Sequence, residues 1–175
     1  MNLLAIGLAI AMIFAASRSA LAQSTHALPV PPLPVRQAEA IGMGKCVAVL
    51  DRMARRTLTS QYDVQSGWSR NDPGGHIFQS VVALTRAGNV PPDGMVALIA
   101  APVMGGDCDG VAVQMFPLAG DCQSAQRRIM KDGESVAPLL NTRIMRDAAG
   151  NRLFLLPGFA DTCIAIAVDT FVGSP

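Results

Sequence analysis

The sequence predicts an α+β fold made of two pseudo-repeated α-β-β-β units, their antiparallel sheet or sheets each covered by one helix and stapled by two disulfides. Three observations lead there: an internal repeat, a pair of similar amphipathic helices, and the placement of four cysteines. The repeat runs at an offset of 55. Aligning Gln79–Phe116 with Glu134–Phe171 without gaps matches nine of 38 positions, among them Leu98/Leu153, Pro102/Pro157, Cys108/Cys163, Val113/Val168 and Phe116/Phe171. A cysteine, a strand-ending proline and the alternating run after the cysteine all coincide.

The chain opens with a secretory signal. Leu3–Ala16 is purely apolar, too short to span a bilayer comfortably, and Ala20-Leu21-Ala22 forms an A-x-A exit that predicts cleavage before Gln23. Residues 1–22 are therefore assigned to a signal peptide, which is to leave no stable membrane insertion after cleavage. Residues 23–36, with four prolines between Pro29 and Pro34, read as an extended, flexible leader that contains His26. Residues 37–175 then form a single domain of two half-repeats, 37–118 and 119–175.

Each half starts with a helix. Cys46, Val49, Arg52, Met53 and Arg55 correspond, at an offset of 76, to Cys122, Ala125, Arg128, Ile129 and Lys131. In both segments apolar residues recur at i, i+3 and i+7 from the cysteine, and Asp121 is placed to cap the second helix. The 21-residue difference between the two offsets predicts an insertion in the first unit, and residues 59–75, polar and glycine-rich, fit it. Strands are expected at Ile77–Arg86, Met95–Val103 and Val111–Leu118, then at Leu139–Arg146, Arg152–Leu156 and Ile164–Val172. Asp147–Asn151 is a hairpin connection, and short connections favour antiparallel pairing about a pseudo-twofold axis.

Four cysteines in an exported chain imply two disulfides, for which three connectivities exist. Equivalent halves select Cys46–Cys108 and Cys122–Cys163, each joining a helix to the segment before a last strand. There is no C-x-x-C and no histidine at ligand spacing from a cysteine, so no metal site is expected. The seven methionines of the mature chain are dispersed and read as core filling rather than as a copper site.

Composition limits the function. With 14 basic and 13 acidic residues scattered along the chain, there is no footprint for nucleic acid. Chemistry finds little support. His76 follows Asp72-Pro-Gly-Gly75, with Ser66 and Ser69 nearby, but no nucleophile-elbow signature accompanies them. Asp107 and Asp109 lack the further ligands of a calcium loop. Nothing implies a cofactor or a catalytic residue.

The reading is of an exported protein, periplasmic or extracellular, that binds another exported protein as inhibitor, adaptor or chaperone. Alternatives are an assembly component of an envelope complex and a small hydrolase using His76. The expected binding residues are Tyr62 and Trp68, the chain's only tyrosine and tryptophan, with Arg52, Arg55 and Arg56 as a charged rim. Lys45, Arg127, Arg128 and Lys131 add to the basic helix faces, which a solvated surface also explains.

Overall fold

The structure, a computed structural model, describes residues 30–85, 94–129, 133–140, 142–146 and 150–173. The proposed signal, its cleavage site, His26, Met130, Lys131 and most of the 147–151 hairpin connection lie outside the described residues. The fold is α+β and mostly β. Helices α1 (Leu33–Ala40), α2 (Cys46–Thr57) and α3 (Cys122–Ile129) accompany strands β1 (Gln61–Gly67), β2 (Phe78–Thr85), β3 (Gly94–Pro102), β4 (Cys108–Ala119), β5 (Glu134–Leu139), β6 (Thr142–Arg146), β7 (Arg152–Pro157) and β8 (Thr162–Phe171).

All eight strands form one antiparallel sheet, in the order β1-β2-β3-β4-β8-β7-β6-β5. The centre is the β4–β8 pair, in which Val113 faces Val168. β1 and β5 are the edges. Both carry features that discourage further pairing: Gln61, Asp63 and Gln65 on β1, and Pro138 on β5.

The helices lie on one face of this sheet. α2 buries Cys46, Val49, Leu50, Met53, Ala54 and Thr57, the stripe expected of a helix on a sheet. It packs with α1 over Phe78, Val82, Val96, Leu98, Ala100 and Ala112, all fully buried. Close approach is possible because Gly110 lies beneath it. A Cβ there would stand 2.8 Å from Met53 Cε and from Val49 Cγ1. α3 is shorter and brings Ala125 onto Met145, Leu153, Leu155 and Ala165, a second and smaller cluster. Asp121 caps it, accepting the Ser124 N–H at 2.9 Å.

Disulfides Cys46–Cys108 and Cys122–Cys163 join the first residue of α2 to the first of β4, and the first of α3 to β8. These are the connectivities expected from the sequence.

Four expectations need correction. First, residues 33–36 belong to α1 and not to the leader. Pro34 stands in the first helical turn, where a missing N–H costs nothing, and Pro34 and Val35 are buried. Second, residues 59–75 are not an unstructured insertion, because Gln61–Gly67 is strand β1, followed by a 3-10 turn at Pro73–Gly75. Third, the segment predicted as one strand, Leu139–Arg146, falls in the β5–β6 hairpin, whose turn includes Leu140 at φ 52°. Each helix α2 and α3 is thus followed by four strands rather than three. Fourth, the methionines are not all core: Met43, Met53 and Met145 are buried, whereas Met95, Met104 and Met115 are exposed.

Candidate interaction surface

The residues named as a binding set do not converge on one site. Tyr62 points to the helix side of β1, where its hydroxyl accepts the Leu33 N–H at 3.0 Å and its ring joins the main cluster. Trp68, just beyond β1, remains 37% exposed and stacks on buried Phe78 with ring centroids 6.0 Å apart. The arginines of α2 each have an internal partner. Arg52 donates to the Val172 carbonyl at 2.8 Å. Arg55 pairs with Asp51 one turn away at 2.7 Å, and this hydrogen bond raises its pKa further. Arg56 reaches Asp169 on β8 at 3.3 Å, compensating a carboxylate that is almost wholly buried.

The other chemical candidates are likewise held by the fold. Lys45 pairs with Asp107 at 2.8 Å, and Asp109 accepts the Gly173 N–H at 3.1 Å. Arg127 donates to the Ser124 hydroxyl, and Arg128 to the Ala119 carbonyl. Ser66 lies on the helix side, its hydroxyl 2.6 Å from Gln37 Oε1 and 2.7 Å from the Ser80 hydroxyl. Asp72 accepts the Gly75 N–H at 3.1 Å, capping its 3-10 turn. His76 and Ser69 line a shallow depression beside Trp68. A second cleft, of about 690 Å³, is lined by Lys45, Asp51, Arg52 and Asp107 at the open end of α2. A third, of about 340 Å³, opens between α2 and α3 and contains the Arg56–Asp169 pair. Among the described residues no group of His, Cys, Asp and Glu is gathered as a metal site would require.

What the structure does bring together is the face of the sheet away from the helices. Strand register places Ala83, Met95, Met115, Ile166, Phe154 and Ile144 in one cross-strand row, six strands wide and entirely apolar. The next row runs Val81, Ala97, Val113, Val168 before it meets Arg152 and Arg146. Ile99, Val111, Ile164 and Leu156 extend the surface on either side. Both buried clusters lie on the opposite face, and among the described residues no helix lies on this one, which is open over β2, β3, β4 and β8 and closes at Ile144 on β6, a buried residue. Val81, Met95, Met115 and Ile164 are 44%, 45%, 37% and 40% exposed. Isolated exposed apolar residues are ordinary, but a contiguous patch of this kind marks a surface meant to be covered.

Sequence reasoning missed this surface, although its signal was present. MVALIAA in β3, VAV in β4 and IAIAV in β8 are continuous apolar runs. A sheet with one solvated face alternates apolar and polar residues, whereas a run without polar interruption indicates contact on both faces.

Comparison of the chain with known family models, with characterised proteins and with solved structures found no match. Among the described residues no helix is long and apolar enough to cross a membrane. Two disulfides are the chemistry of an oxidising, non-cytoplasmic compartment.

Proposed function

We propose that this protein is an exported, disulfide-stapled interaction module, and that its working surface is the helix-free face of the sheet. The observation that carries the reading is the uncovered apolar row across β2, β3, β4, β8 and β7. Burying such a face against another protein removes apolar area from water, worth roughly 25 cal/mol per Å² before the costs of association. The apolar leader with its A-x-A exit supports export, and the stapled helices supply a rigid backing. Of the side chains a catalytic reading would use with His76, Ser66 and Asp72 are engaged in the fold's own hydrogen bonds.

The half-repeat belongs to the same proposal, with 37–118 and 119–175 as related units arranged about the β4–β8 pair. Three details support it. Val113 and Val168, equated by the offset of 55, face one another. The disulfides run from equivalent helix starts to Cys108 and Cys163, also 55 apart. The turns before β4 and β8 repeat one hydrogen bond: Val103 N–H to Asp107 carbonyl at 2.9 Å, and Gly158 N–H to Thr162 carbonyl at 2.8 Å. Two such units side by side would give a wider, flatter face than either alone.

Site-specific photo-crosslinking tests the surface. A crosslinker at Met115 should capture a protein from the exported fraction, while one at Gln126 on α3 should not. Capture confined to Trp68 would return the contact to the 59–75 segment and overturn the reading.

A further inference from the structure

We infer that the occupant of the helix-free face is a second copy of this chain, joined sheet to sheet about a twofold axis between β3 and β4; this rests on the interaction-surface reading. Four exposed apolar side chains of the face, Val81, Met95, Met115 and Ile164, lie on the adjacent strands β2, β3, β4 and β8, and the middle of those strands is the β3–β4 boundary; Leu139, which is more exposed, stands apart on the β5 edge. An axis there, parallel to the strands, lays β3 on β4 of the partner and β2 on its β8. Met95 then meets Met115, and Val81 meets Val168, each contact occurring twice as an isologous interface requires.

The charges agree with this axis. Asp63 stands on β1 at one end of the apolar row, paired across the ladder with Ala83. In the neighbouring row at the other side, Arg152 faces Arg146, which in turn faces Glu134 on β5, so Arg152 is the member of this row with no acidic cross-strand neighbour. Neither Asp63 nor Arg152 has an ion-pair partner among the described residues. Arg152 starts β7, at the rim shared with the cleft between the helices. The same axis lays β1 on β7 of the second copy, bringing Asp63 within one pleat of that copy's Arg152 and leaving both at the wet rim. An axis through the β4–β8 pair would instead set Arg146 over Val81 and Arg152 over Ala97.

The size of the face places the expected dimer among weak, reversible ones. Six strands at about 4.8 Å and five residues at about 3.4 Å give a flat footprint near 500 Å² per copy. That is at the small end for a specific interface, so the dimer is reversible and micromolar.

Sedimentation velocity on the mature chain, from about 1 to about 200 µM, brackets the micromolar range expected of so small an interface. The expected result is a monomer–dimer equilibrium that Met115→Glu weakens by about tenfold or more, with the melting temperature of the monomer retained. Asp63→Arg and Arg152→Asp should each weaken it, and the double variant should recover most of the loss. A wild-type chain that stays monomeric throughout, or a dimer indifferent to Met115→Glu, overturns the inference. A solvatochromic apolar dye separates the two proposals. A monomer that binds the dye, and loses it on Met115→Glu, refutes only the second copy as occupant. A monomer that binds none refutes the interaction surface as well.

Discussion

Trp68 was attractive as an anchor because it is the only tryptophan, yet its ring lies against Phe78, which is wholly buried. Such a ring shields the margin of the core. Trp68→Ala is expected to destabilise the protein by about 2 kcal/mol, less than a full core truncation because part of the ring already meets solvent. Urea unfolding measures this. A change near zero would free Trp68 for partner contact. Asp121 carries a different residue-scale expectation. Its pKa is lowered chiefly by the Ser124 backbone N–H and then by the Ser124 hydroxyl. A carboxyl depressed on folding stabilises the native state above its ordinary pKa, and the contribution is lost as pH falls through the lower, folded value. Asp121→Ala should therefore lower the melting temperature at neutral pH and leave it nearly unchanged in strong acid.

At the scale of elements, the staples and the α2–β4 contact are decisive. The disulfides close sequence separations of 62 and 41 residues. In the chain-entropy account loops of that length contribute about 4 kcal/mol each. Replacing Cys46 and Cys108 together by alanine should cost about that much, and the Cys122/Cys163 pair nearly as much. Gly110 offers a sharper test of packing. With Met53 and Val49 occupying the place a Cβ would take, Gly110→Val must displace α2, at about 1–3 kcal/mol. The same substitution at Gly150, where an added Cβ meets nothing within 4 Å, would act only through its left-handed backbone.

Among the described residues the sheet is asymmetric: one face is covered by helices, and the other carries an apolar patch that no helix covers. Self-association through the open face would make apparent stability depend on concentration. The proposed export belongs to the same scale. N-terminal sequencing of the exported protein should begin at Gln23, and Met1 retained in a membrane fraction would defeat the proposal of a cleaved signal.

By itself the sequence determined α2, α3, five strand segments and both disulfides. Each rests on a local or one-dimensional signal: a helical stripe, an alternating run, or cysteines at matching places in a repeat. Arg52, Arg55 and Arg56 were visible as a cluster, and the Asp51–Arg55 pair is a turn apart on one helix, but the partners of Arg52 and Arg56, Val172 and Asp169, lie at the far end of the chain and only folding brings them to α2. β1 was hidden because an edge strand is stabilised by pairing with β2, and Gln61, Asp63 and Gln65 make it read as loop. α1 was hidden because prolines signal an extended chain until a helix start makes use of them. The β5–β6 turn has Leu140 in a left-handed conformation, which no turn residue announces. Tertiary structure alone decided which face of the sheet the helices cover. Apolar runs fit either face, and the choice depends on α2 reaching over Gly110 and on the two disulfides that hold the helices to one side.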